Sequence, residues 1–163
     1  MIKKLAVVIL IISIVAVAAR TEAKKHVKIA TIGAVPPIAG IYDKNFPTIG
    51  TMKKGRVPSN KAPVFETDFG RLAIAICFDL NFDELKKRYA EQNPDIIVFP
   101  AFYHGGLEQA HWAYTNRAYF VSAICVGNLP SEIRNPMGDV VATTSNHFHY
   151  IVSTVNLDFG LAI

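Results

Sequence analysis

Phe69-Gly70-Arg71-Leu72-Ala73-Ile74-Ala75-Ile76-Cys77-Phe78-Asp79-Leu80-Asn81-Phe82-Asp83-Glu84-Leu85 is the stretch on which the reading of this chain turns. An apolar run from Leu72 to Ile76 reads as a buried strand, and it ends on a thiol. The residues that follow read as a helix, with Asn81 and Glu84 at the N-cap and N3 spacing of a capping box. Phe82, Leu85 and Tyr89 then share one helical face, while Lys86, Lys87 and Arg88 favour the later turns. A thiol between a strand and a helix stands at the rim of a sheet, where other hydrolases carry their nucleophiles. The positive end of the helix would favour its thiolate. The competing reading is an inert core cysteine, because cysteine is among the most buried residue types.

Outward from this stretch the chain alternates strands and helices. A strand is expected over Val27–Ala34, followed by a long loop over 45–63 marked by Pro47, Gly50, Gly55, Pro58 and Pro63. After Cys77 the pattern predicts a helix over 82–92, a strand over 95–100, a helix over 108–118 and a strand over 120–126. Shorter strands follow near 132–135, 139–144 and 149–156. Trp112 and Phe120 are expected in the core, with Phe102 and Tyr103 lining a pocket. An alternating β/α order with a late antiparallel series indicates an α/β fold.

The quoted stretch resembles the cysteine block of the nitrilase, or carbon–nitrogen hydrolase, superfamily. Tyr42-Asp43-Lys44 resembles the tyrosine-x-lysine motif that precedes that block, and Asn93 to Ala101 resembles the strand after the cysteine helix. Trp112, Asn116, Arg117 and Ala118 resemble the next helix, Asn135 to Ala142 a late hairpin, and Val155 to Asp158 the last core strand. The resemblance covers most of residues 42–158. It implies an incomplete nitrilase-like αββα sandwich over a partial domain, 27–163. It also implies Cys77 as nucleophile, Lys44 as stabiliser of the tetrahedral intermediate and the Phe78 N–H as second oxyanion donor. Phe102, Tyr103 and His104 fall at the pocket. The implied substrate is a small amide or nitrile, with no metal and no cofactor, and a homodimer would form through helices 82–92 and 108–118. A fixed ammonium beside developing negative charge is sound chemistry for thiol attack. Taken alone, Lys44 would read as a solvated loop lysine.

The family's general base is not found at its expected place. No acid lies between Glu22 and Asp43, Thr51 or Met52 holds the place of a second family glutamate, and Glu66 and Glu84 align with positions of other purpose. A positioned base is worth about 100- to 10,000-fold in rate, or about 3 to 5 kcal/mol of barrier. Impaired catalysis is therefore expected, from an internally deleted or fragmentary member. Two alternatives stand beside the hydrolase. One is a non-catalytic exported remnant that binds a small amide or a partner subunit. The other is a thiol hydrolase in which His104 serves as base to Cys77.

The first residues read separately. Lys3 and Lys4 precede an uncharged apolar run from Leu5 to Ala19, with Ala16-Val17-Ala18 as a small-x-small cleavage site. The run is short for a span and suits a signal peptide over 1–18, or else an N-terminal anchor. Export to a periplasmic or extracellular location is expected, with membrane contact only through this segment. The net charge of +4 includes Lys3 and Lys4, so it falls to +2 on their removal. The remaining basic residues are scattered, which argues against a nucleic-acid partner. Cys125 ends an apolar strand and is expected to be buried, leaving both cysteines unpaired. His147 and His149 alternate on one strand face as a weak candidate metal pair.

Overall fold

The computed structural model describes residues 5–10, 40–145, 148 and 150–161. The strand expected over Val27–Ala34 and the pair His147 and His149 lie outside the described residues. The architecture is mixed α/β, built on a six-stranded sheet and a second, two-stranded one.

Strands β1 (Leu5–Leu10), β2 (Phe65–Glu66) and β3 (Arg71–Ile74) are followed by β4 (Ile96–Ala101) and β5 (Tyr119–Ile124). Helix α1 is a single turn, Ile49–Met52, inside the long loop before β2, while α2 spans Asp83–Ala90 and α3 Leu107–Asn116. Strands β6 (Glu132–Arg134), β7 (Val140–Thr143) and β8 (Ile151–Asn156) complete the order. The large sheet runs β2-β3-β4-β5-β6-β7. Its centre, β3-β4-β5, is parallel and its flanks are antiparallel. Parallel neighbours need crossovers, and α2 and α3 supply them. From β3 to β8 each strand and α-helix falls within a few residues of its sequence expectation, whereas β1 and the single turn α1 were not expected as such.

The period of two along β4 and β5 decides the layers. Ile97, Phe99 and Phe120 point to one face, where Leu85, Tyr89, Trp112 and Ala113 of the two helices complete a core. Ile96, Tyr119 and Val121 point to the other, where they meet Ile151 and Val155 of β8. Trp112 and Phe120 are fully buried, as their pattern predicts. Two helices, a six-stranded sheet and the β1–β8 ribbon therefore stack as three layers. In that ribbon the backbone of Leu5–Leu10 pairs antiparallel with β8, Leu5 opposite Asn156 and Leu10 opposite Ile151. The first six residues of the apolar run read as a leader thus hold a strand position here. Among the described residues no helix is long and apolar enough to cross a membrane.

Two local expectations need correction. The capping box at Asn81 and Glu84 does not form. The chain first makes a 3-10 turn over Cys77–Asn81, Phe82 is extended at φ −117° and ψ 110°, and α2 begins at Asp83. Asn81 instead donates to the Phe78 carbonyl at 3.2 Å and the Tyr103 hydroxyl at 3.0 Å. Cys125 is exposed rather than buried. Its N–H still bonds the Ala101 carbonyl at 2.9 Å, but it lies just past the end of β5, where the sheet no longer covers the side chain.

Both helices also hold the cysteine-bearing connection from behind. The Tyr89 hydroxyl donates to the Ile74 carbonyl at 2.7 Å, and the Trp112 indole N–H donates to the Leu80 carbonyl at 2.9 Å, both buried. Trp112→Phe keeps the aromatic packing but leaves that carbonyl unpaired. It should lower unfolding free energy by about 1–3 kcal/mol in urea titration.

Candidate active site

Cys77 opens its 3-10 turn at φ 50°, in the left-handed region. For a residue with a side chain this costs about 1–2 kcal/mol, so the surroundings must enforce it. β3 and β4 are parallel, so Cys77 leaves the same edge of the sheet as Phe102, Tyr103 and His104. Cys77 is half-buried. The first backbone bond of the turn runs from the Asp79 N–H to the Ile76 carbonyl at 3.1 Å. The Phe78 N–H lies ahead of that bond, where helical turns leave their first donors without an internal partner.

Lys44 is brought to this turn from a loop more than thirty residues upstream. Its ammonium donates to the carbonyl of Ile76, the residue immediately before Cys77, and only 20% of its side chain is exposed. The reading of Lys44 as a solvated loop residue is thereby set aside. Burial lowers its pKa from the ordinary 10.5, opposed by the negative charge of Asp79 and by the neighbouring Cys77. Desolvation disfavours the ammonium, and the nearby anion favours it.

Asp79 is the site residue that sequence reasoning passed over. Its side chain is fully buried. One oxygen accepts from the Tyr42 hydroxyl at 2.8 Å and the Ile76 N–H at 3.0 Å. The other accepts from the Phe46 N–H at 2.7 Å and faces the Lys44 ammonium at 3.9 Å. At that distance Lys44 contributes charge rather than a hydrogen bond. Burial, then the negative charge of Asp79, holds the Tyr42 phenol well above its usual range, so it remains a donor. The available signal was an acid two residues after the thiol on a strand-ending turn.

On the opposite side of the turn, the Tyr103 hydroxyl donates to the Cys77 carbonyl at 3.1 Å. Burial is the main cause that pushes its pKa up to about 12. Tyr103 therefore braces the turn, whereas Phe102 is 71% exposed and stands at the rim. Phe78 turns its ring outward against Phe82, edge to face, with centroids 5.3 Å apart. Phe46 stacks on Phe82 at 3.8 Å. These rings line an apolar cleft of about 720 Å³, together with Pro47, Ile49 and Met52. Cys77 and Lys44 are not among its lining residues, so the cleft borders the chemistry through Phe78.

His104 is oriented by other groups. Its Nδ1 accepts from the Gly106 N–H at 3.2 Å, and its Nε2 faces a Glu132 oxygen at 3.4 Å. That second contact is within ion-pair range but lacks hydrogen-bond geometry, and Nε2 is buried without a hydrogen-bond partner. Glu132 is itself held by Arg134 through bonds of 2.6 and 3.0 Å. In this arrangement Nδ1 is engaged by Gly106, and Nε2 faces Glu132 without a hydrogen bond. The next loop residue, Gly105, has φ +83°, and a Cβ there would meet Leu80 at 2.2 Å, so the loop lies directly against the cysteine turn.

The backbone at Cys77 gives a direct check. Cys77→Gly should be more stable than Cys77→Ala by about 1 kcal/mol, because glycine accepts positive φ without the Cβ conflict. Paired denaturant titrations of the two variants measure it, and the opposite order would show a relaxed turn.

Comparison with known proteins agrees with this architecture. The carbon-nitrogen hydrolase family profile matches residues 2–162. "Nitrilase homolog 2" of Dictyostelium discoideum is 27% identical over 116 residues, covering 62% of this chain and 35% of that protein. An omega-amidase of Xenopus tropicalis is 25% identical over 119 residues, covering 63% of this chain and 42% of the relative. The chain thus spans well under two thirds of these relatives' length. Among solved structures, the nitrilase-superfamily member Nit3 of Saccharomyces cerevisiae superimposes with a TM-score of 0.66 at 18% identity, over 77% of this chain and 51% of that one. The likeness establishes a nitrilase-type fold of which this chain covers only part. With a profile match over nearly its whole length, the chain belongs to the carbon–nitrogen hydrolase family.

Proposed function

We propose that the chain carries the nucleophile and electrostatic half of an amidase-type centre, acting on a non-peptide amide or nitrile carbon. The observation that carries this reading is the Lys44 ammonium bound to the Ile76 carbonyl, one residue from a cysteine in a left-handed turn at a strand end. For an amide, Cys77 Sγ adds to the carbonyl carbon and a C–S bond forms as the carbonyl electrons move onto oxygen. Lys44 and the Phe78 N–H receive that oxyanion. Collapse breaks the C–N bond, the amine leaves carrying the proton that the Cys77 thiol gave up, and a thioester remains. Water then releases the carboxylic acid and restores the thiol.

Acylation and turnover separate in this reading. The acid joined to Lys44 is Asp79, whose oxygens are engaged by three hydrogen bonds, so it is poorly placed to shuttle protons. Without a positioned base turnover slows by about 100-fold or more, while an activated ester or amide can still acylate Cys77. Intact mass spectrometry after exposure to such a substrate should show one acyl adduct, lost in Cys77→Ala and retained in His104→Ala. Adduct loss in His104→Ala alone would favour the Cys–His mechanism. An unmodified parent chain that still binds a small amide would favour a binding remnant.

The pH profile tests Lys44. Its lowered pKa means the ammonium loses its proton below pH 10.5, so the acylation rate should begin its alkaline decline below that value. Lys44→Met should slow acylation by about 100- to 1,000-fold, the usual cost of an oxyanion-hole donor. In Lys44→Arg, any residual rate should show no such decline, since guanidinium stays charged.

For location, the basic start and the run from Leu5 to Ala19 support export or an N-terminal anchor. A chain cleaved after Ala18 would lack the strand that pairs with β8. N-terminal sequencing of the native protein should begin just after Ala18 if the leader is removed, and a start at Met1 would leave the anchor and overturn cleavage.

A further inference from the structure

We propose that Asp79 is a positioning residue of this centre, whose buried carboxylate fixes both the place and the charge of the Lys44 ammonium beside Cys77. The inference deepens the acyl-transfer reading and rests on it.

The geometry is specific. Two of the three donors to Asp79, Tyr42 and the Phe46 N–H, lie two residues before and two after Lys44. The third, the Ile76 N–H, belongs to the residue whose carbonyl accepts from Lys44. One carboxylate therefore clamps the lysine segment on both sides and ties it to the residue preceding the thiol. The clamp has its own support. Asn45 donates to the Tyr42 hydroxyl at 3.1 Å, and Arg88 of α2 donates to the Asn45 side-chain oxygen at 2.8 Å. A mostly buried ammonium tends to shed its proton, and a full negative charge 3.9 Å away opposes that loss. Among the described residues, Tyr42, Tyr89 and Tyr103 sense Asp79 and Cys77 senses Lys44, while Arg88 acts on Tyr89 and Glu108 on Tyr103 at the edge of the group. The three phenols are all raised by burial and stay neutral at working pH, and the Asp79 carboxylate faces the Lys44 ammonium at 3.9 Å.

A purely architectural role for Asp79 makes a different forecast, and lysine labelling separates the two. The full chain, Asp79→Asn and Tyr42→Phe would be treated with fluorodinitrobenzene at about pH 8, and the Lys44 peptide followed by mass spectrometry. Removing the anion should raise Lys44 labelling by about tenfold, equivalent to one pH unit in its midpoint. Tyr42→Phe removes a hydrogen bond but no charge at that pH, and should change labelling by less than about twofold. Unchanged labelling in Asp79→Asn, or equal changes in both variants, overturns the proposal. Should Asp79→Asn fail to fold by circular dichroism, the unmodified chain still decides. The Asp79 carboxyl carbon-13 signal should then move with the same midpoint as the Lys44 side chain, and a signal flat through that range overturns the role. Labelling needs no turnover, so it can succeed where amidase assays fail, and its failure leaves Cys77 acylation standing.

Discussion

The left-handed backbone at Cys77 is the constraint around which the rest of the structure is arranged. A side-chain-bearing residue does not stay at φ 50° by local preference, because its Cβ crowds the following carbonyl oxygen. Here it is held from several directions. Asp79 fixes the N–H before it, Tyr103 fixes its own carbonyl, and Trp112 fixes the Leu80 carbonyl three residues on. Those three anchors come from the turn itself, the loop after β4 and helix α3. The two-sided packing of the parallel sheet sets where these elements lie relative to one another. The strained residue and the hydrophobic layers are therefore one problem, since loosening α3 would release the turn.

How much of this was legible in the sequence follows from the range of each interaction. Period-two and period-3.6 patterns report burial on a face, and they located β4, β5, α2 and α3 to within a few residues. Trp112 and Phe120 were read as core for the same reason, and lie there. The start of α2 was misread because Asn81 and Glu84 satisfy a local spacing rule. Tertiary partners then captured Asn81 for Tyr103 and drew the chain into a 3-10 turn. Cys125 was misread because the apolar strand before it stops one residue short, and a strand end loses its cover abruptly.

At the site, resemblance supplied the pairing of Lys44 with Cys77, which no local pattern encodes across more than thirty residues. It did not supply Asp79, since a carboxylate inside an apolar turn looks like a surface residue until its three donors are seen. His104 shows the converse. Its position at a strand end suggested a base, and only the structure shows the contacts that orient its ring. Gly106 and Glu132 occupy the directions in which its nitrogens point.

The apolar run Leu5–Leu10 poses a conflict that composition alone does not resolve, because a leader core and a buried strand want the same residues. Strand pairing satisfies each backbone group only if a partner edge is available, and β8 presents one in register. Removing the run would leave β8 with an open edge over a face whose inner residues, Ile151 and Val155, already pack on the main sheet. An exposed strand edge of that kind favours pairing with another chain. The residues read as a leader for one purpose are thus also those whose backbone pairs with β8 for another. A chain using them for the first purpose needs another strand, or another molecule, for the second.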